Sequence, residues 1–238
     1  LKTSKNTMIS IITVNYNSYD FLNLLIESLY LFSTLPYELI VIDNSENKVK
    51  IEYPHVHQFF MPTNIGHGRG LNHGVVKSYE LFKNNQYIMF LDCDCHFIKM
   101  KWENAFIGQM KNYDIIGGKG PASKPIRPAC MFMRKEIGRY DWSDTEGYKG
   151  NRHTPIGYDV AIKAYYKIMV DNLRIGFLTP QKNQYNTVNG EEWCIESTPY
   201  VYHHWHGSHL KERQQDFPEI DLIEDKKSLF SKIPWRLP

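Results

Sequence analysis

The sequence has no strong charge of either sign. Its 28 lysines and arginines stand against 26 aspartates and glutamates, leaving +2 over 238 residues. That field is too weak to argue for nucleic acid and suits a small anionic ligand better. Long apolar runs are missing as well. Met8 to Val14 and Tyr87 to Leu91 are the longest uncharged ones, far short of the roughly 20 residues that cross a bilayer. No signal-peptide pattern opens the chain. The expectation is a soluble, cytoplasmic protein without a transmembrane segment, with peripheral contact at the cytoplasmic membrane face left open. Cysteine is sparse: Cys93, Cys95, Cys130 and Cys194. A C-x-C pair suits neither a disulfide framework nor the usual zinc spacing, even with His96 adjacent, so all four read as reduced thiols. No Gly-Lys-Ser or Gly-Lys-Thr triplet occurs, which disfavours a P-loop hydrolase. The charged tail after Leu210 shows no repeat or low-complexity tract.

What is present has the size of one large α/β domain, read as residues 1–210, with a charged tail over 211–238 that packs on the domain or on a partner. Met8 to Val14 is an apolar, β-rich run expected to be covered on both faces. Asn15-Tyr16-Asn17-Ser18 then caps a helix in which Phe21, Leu22, Leu25, Leu29 and Phe32 recur at near-helical spacing, ending by Pro36. Glu38 to Ile42 is a second strand and His57 to Met61 a short third. Gly66, Gly68, Gly70 and Gly74 open another helix, where such glycine density permits close approach to a ligand or to the sheet. Tyr87 to Leu91 is the next strand and runs into Asp92-Cys93-Asp94. Further on, helices are expected at Trp102 to Tyr113 and Tyr158 to Val170. Strands are expected at Ile115-Ile116, Ala129 to Met133, Arg174 to Leu178 and Thr198 to His203, and loops at Lys119 to Arg127 and Asp141 to Pro155. Strand, helix and strand in succession imply a parallel sheet with right-handed crossovers, whose carboxyl edge gathers the polar residues closing each strand.

Candidate chemistry sits at that edge. Alternation along an extended segment sends Asp92 and Asp94 to one side, close enough to share a divalent ion that would draw charge from a departing diphosphate. The plainer reading is two solvated acids. Asp43 is either a turn residue or an acceptor for a base or sugar hydroxyl, and Arg69 either a phosphate partner or a surface arginine. Asp159 is a helix cap or, facing the cleft, an acceptor for a hydroxyl proton, with Glu191, Glu192 and Asp144 as rivals. His203, His204, His206 and His209 surround Trp205, and one strand turns only one or two of them toward a metal near Asp94.

Taken together, these motifs resemble the GT-A type glycosyltransferases, and within them the inverting family-two type that includes rhamnosyltransferase-like members. Val14-Asn15-Tyr16-Asn17 and Val41-Ile42-Asp43-Asn44-Ser45 resemble its first two strand motifs. Asn64-Ile65-Gly66-His67-Gly68-Arg69-Gly70-Leu71-Asn72-His73-Gly74 is similar to its asparagine- and glycine-rich segment, and Leu91-Asp92-Cys93-Asp94 to its metal-binding D-x-D. The resemblance implies a three-layer α/β/α sandwich with a mainly parallel, Rossmann-like sheet. It also implies a donor site at Val14, Asn15, Tyr16, Asp43, Asn64, Gly66, Arg69, Asn72, Asp92 and Cys93. Asp94, Asp92 and His204 would hold Mn²⁺ or Mg²⁺, and Asp159 would be the catalytic base. Tyr158 replaces the family's glutamate before that aspartate, and His206 replaces the first glycine of its late His-x-Gly-Gly-Ser segment. The implied reaction is inverting transfer from a UDP-, dTDP- or GDP-linked sugar to a hydroxyl of a glycan or lipid-linked glycan. The rivals are a binding protein on the same scaffold and a sugar-1-phosphate nucleotidylyltransferase, which needs a basic glycine-rich loop that Asn15-Tyr16-Asn17-Ser18 does not supply.

Overall fold

Strands that are apolar at every position must be covered on both faces, and the computed structural model covers them. It describes residues 8–119, 126–143, 162–182, 190–204 and 221–233. Asp144, Asp159, His206 and His209 lie outside them, as do most of the two expected loops. Strands β1 (Ile9–Asn15), β2 (Tyr37–Asp43), β3 (Val56–Phe60) and β4 (Tyr87–Leu91) form the parallel part in the order β3-β2-β1-β4. Their side chains alternate between two cores. Ile9, Ile11, Leu39, Val41, Met89 and Leu91 pack with Leu22, Leu25 and Leu29 of α1 (Tyr19–Phe32) and with Trp102 and Phe106 of α3 (Trp102–Gln109). Ile12, Ile40, Ile42, Ile88 and Phe90 pack with Leu71 and Val75 of α2 (His67–Leu81) and with Ala164 and Ile168 of α4 (Ile162–Val170). Helices on both faces of one sheet make the three-layer α/β/α architecture.

The glycines of α2 serve helix–sheet contact. A Cβ on Gly70 would lie 2.8 Å from Val14 Cγ2, and one on Gly74 only 2.3 Å from Ile12 Cγ2. Spaced four apart, they lie on one helical face and let the α2 backbone rest on β1.

Beyond β4 the sheet is mixed. β7 (Ile126–Arg134) is antiparallel to both β4 and β6 (Ile115–Lys119), and β6 pairs in parallel with β8 (Ile175–Lys182). The parallel expectation therefore holds for the half carrying β1, β2 and β4, and for the β6–β8 pair. β8 serves two partners. Ile175 to Leu178 pair with β6, whereas Thr179 to Lys182 pair antiparallel with β9 (Glu191–Ile195). From β9 the sheet continues through β10 (Thr198–His203) to the three-residue β5 (Cys95–Phe97). Since β5 follows β4 by a turn, this second sheet folds back until the end of β10 meets the end of β4. After Lys135–Arg139, a 3₁₀ turn closing β7, the last described element is α5 (Leu222–Lys232), whose Leu229 packs with Phe21, Leu24 and Tyr202. No helix among the described residues is long and apolar enough to cross a membrane.

Candidate active site

At the carboxyl edge, parallel register sets Asn15 beside Asp43. Both are fully buried, and the Asp43 carboxylate takes four protein donors. Oδ1 accepts from Asn15 Nδ2 (3.3 Å) and the Ser45 backbone N–H (3.0 Å), and Oδ2 from the Tyr19 hydroxyl (2.9 Å) and Gln58 Nε2 (2.7 Å). Such enclosure is tolerable for an anion because its lone pairs are occupied. The same donors tie down the chain over residues 44–51. Asn15 Nδ2 also donates to Ser45 Oγ, Gln58 Nε2 to the Val49 carbonyl, and the Val49 N–H to the Tyr19 hydroxyl. Asn44 links this edge to the start of α2, donating to the Gly66 carbonyl (3.3 Å) and accepting from the Ile65 N–H (3.4 Å). Gly66, with φ of 84°, caps α2 in a conformation glycine adopts freely.

The segment Asp92 to Asp94 is not the extended stretch that alternation assumed. The Cys95 N–H donates to the Asp92 carbonyl at 2.9 Å, closing a four-residue turn that hands β4 over to β5. The two carboxylates therefore acquire different partners. Asp92 is half-buried with Oδ1 3.2 Å from His67 Nε2, while Asp94 is 5% exposed with Oδ1 3.6 Å from His203 Nε2. Burial alone would raise the Asp92 pKa, but the charge and hydrogen bond of His67, with the charge of His203, hold the carboxyl below its usual value. Burial, and then the Asp94 and Asp92 carboxylates, push the Cys93 and Cys95 thiols well above the ordinary thiol value, so both are neutral near pH 7. The Asp94, Cys95 and His203 side chains bring one ligand atom each to within 4.8 Å of one another. An oxygen, a sulfur and a nitrogen at that separation are a donor set that fits a divalent cation.

The sequence matches the family model "Glycosyl transferase family 2" over residues 10–166, about two thirds of the chain, which takes in β1 to β7 and leaves out β8, β9 and β10. The chain belongs to glycosyl transferase family 2. No curated protein matches it. Solved structures that resemble this family 2 chain include S. aureus TarS, with a TM-score of 0.53 and 15% identity over 95% of this chain and 43% of that one. They also include S. aureus TarS 1-349 (TM-score 0.53, 16% identity, 95% and 71%) and the same fragment in complex with UDP-GlcNAc (0.52, 16%, 95% and 72%). This chain thus spans less than half the length of the longer TarS chain that it matches.

Within the family 2 fold, the expected donor-site residues separate. Val14, Asn15, Tyr16, Asp43, Gly66, Asp92 and Cys93 gather at the carboxyl edge or in the turn after β4. Asn64 is exposed and accepts from the Gly66 N–H, and Arg69 is exposed on the first turn of α2. Asn72 faces another way: it donates to Asp141 Oδ1 (2.8 Å) and accepts from the Trp142 N–H (2.9 Å), binding α2 to the segment after β7. Among the late histidines, His203 lies against Asp94, whereas the fully buried His204 stacks its ring on Phe21 and donates its backbone N–H to the Asp94 carbonyl. The late histidine beside the D-x-D carboxylate is therefore the one before the position that the motif register suggested. Three further contributors were not singled out from the sequence. His67 pairs with Asp92, Trp193 packs on His203 at 4.9 Å between ring centroids, and Arg127 approaches Glu191, which also accepts from Trp193 Nε1. Glu191 stands opposite His203 in the β9–β10 ladder, which places one of the proton-acceptor candidates in the site and Glu192 one strand position away, buried.

Proposed function

We propose that this chain transfers a sugar from a nucleoside diphosphate sugar to an acceptor hydroxyl, with inversion at the anomeric carbon. The observation that carries the reading is the convergence of Asp92, Asp94 and His203 at the carboxyl edge of a family 2 chain, beside the closed Asn15–Asp43 network. The base of the donor would sit against that network, one ring N–H replacing the Tyr19 or Gln58 donor on Asp43. A divalent cation, Mn²⁺ or Mg²⁺ in the family-based expectation, held by Asp94 with His203 would supply positive charge where a leaving diphosphate accumulates negative charge. His67 holds the Asp92 carboxylate ionised beside it. Asp159 is proposed as the base: it takes the acceptor proton, the freed oxygen attacks C1, and the bond from C1 to the diphosphate oxygen breaks. UDP is the first nucleotide to try, since one solved relative is a UDP-GlcNAc complex. The acceptor is proposed to be a glycan or lipid-linked glycan.

The test is thermal shift and calorimetry across UDP, dTDP and GDP sugars, with Mn²⁺ and with a chelator. Stabilisation by one nucleotide class that the chelator removes, and that Asp94→Ala abolishes, is the expected result. A folded sample that binds no nucleotide sugar overturns the reading. The anomeric configuration of the product, read by NMR coupling constants, tests inversion. Asp159→Asn should keep donor binding and lose turnover by about 10²–10⁴-fold, the usual contribution of a general base.

A further inference from the structure

The ligand set beside Asp94 has a member that linear spacing hid. Cys95 and His203 are directly opposed in the antiparallel β5–β10 pair, so their side chains leave the same face of the ladder. Asp94 precedes Cys95 in the turn, and one donor atom from each of the three side chains lies within 4.8 Å of the others. Ligands of a tetrahedral cation at about 2.0–2.3 Å are themselves about 3.3–3.8 Å apart, so these three need close by only about 1 Å to grip one ion. We infer that Cys95 is a third metal ligand beside Asp94 and His203, which makes this a site for a thiophilic divalent cation such as Zn²⁺ or Co²⁺ in preference to Mg²⁺.

The inference rests on the proposed metal-dependent transfer and specifies the ion. Mg²⁺ requires near-octahedral oxygen ligation and keeps its waters, whereas a thiolate and an imidazole select softer ions later in the divalent series. Three protein ligands also leave one tetrahedral position open, the arrangement of catalytic rather than structural zinc. That position would receive a diphosphate oxygen. On binding, the Cys95 S–H bond breaks, its proton passes to solvent, and a sulfur–metal bond forms with no change of oxidation state. The C-x-C spacing of Cys93 and Cys95 is no objection, because the third ligand arrives through strand pairing. Trp193 packed on His203 holds that ligand from behind, whereas the S–H bond from Cys95 to the Ala129 carbonyl (3.5 Å) belongs to the metal-free thiol and is given up on binding.

The test uses the full chain, stripped with a chelator and titrated with Co²⁺. The expected result is an intense near-ultraviolet thiolate-to-cobalt band that saturates at one equivalent, disappears on addition of Zn²⁺ but not of Mg²⁺, and is missing in folded Cys95→Ser. X-ray absorption on the zinc-loaded, unaltered protein should show one sulfur at about 2.3 Å, which decides the matter should the variant not fold. A cobalt complex with only weak visible bands, or a zinc shell of nitrogen and oxygen alone, overturns the inference. If Mn²⁺ still binds in that case and Asp94→Ala abolishes it, the metal-dependent reading survives. Failure to bind any divalent cation overturns both.

Discussion

Gly74 and Gly108 make opposite predictions from the same substitution. Alanine at Gly74 drives a Cβ to 2.3 Å from Ile12 Cγ2, a stiff β-branched group inside the core. Gly74→Ala should therefore cost about 1–3 kcal/mol in denaturant unfolding. Gly108, in α3, has nothing within 4 Å of the added methyl, so Gly108→Ala should be neutral or stabilise by up to about 1 kcal/mol. Asp114 tests charge. Hydrogen bonds from Arg174, opposed by burial and helped by Arg134, hold its carboxyl well below the ordinary aspartate value of 3.8. A depressed folded-state pKa stabilises fully above 3.8 and less as pH falls through the folded value. Asp114→Asn should thus lower Tm at pH 7, with the gap to the parent closing only in strong acid. Among site residues, those closing parallel strands were legible, because each strand end points to the same edge. Asn15, Asp43 and Asp92 needed only the strand-and-turn pattern. His203 and His204 did not separate, since choosing between them requires the register of an antiparallel pair whose partners lie at positions 95 and 203.

Whole elements were legible where their apolar pattern ran long enough. β1, β2 and β4 lie within a residue of their sequence-based bounds, and α1 opens directly after the expected cap and ends four residues before Pro36. β5 has three residues, too few for any period to emerge. β9 opens on two glutamates, and only its pairing with β8 and β10 explains why such a stretch is extended. The tail helix was hidden by its charge, and yet α5 is anchored to the domain: Leu229 is fully buried, Phe230 packs on Phe21, Lys226 Nζ lies 2.7 Å from Asp20 Oδ2, and Asp221 accepts from the Ile223 and Glu224 N–H groups as its cap. Leu229→Ala should cost about 2–5 kcal/mol, and amide exchange should accelerate most over residues 222–232 while β1, β2 and β4 stay protected. Glu103 plays a comparable part for the connection from α1 to β2. Its buried carboxylate accepts from the Thr34 and Leu35 N–H groups, and Glu103→Ala, which strands both donors, should cost about 1–3 kcal/mol by thermal or urea unfolding.

At the scale of the molecule, the three-layer half was foreseeable and the second sheet was not, because nothing in the sequence announces that β8 changes partners part-way along. The reading of the site as a donor pocket predicts linkage. A nucleotide sugar at 100 times its Kd should stabilise the protein by about 2.7 kcal/mol, measured as a rise in unfolding free energy that a chelator diminishes. Sequence separation also predicts an order in time. β1 and β2 are joined by one helix and are expected to meet early, whereas Asp94 and His203 lie far apart in sequence, and such distant pairings are expected to form later. A cation bridging the two would bind the finished ladder and not its precursors, acting as a latch on the last step of folding. Growth in metal-poor medium should then yield chains whose first sheet is complete and whose second still breathes.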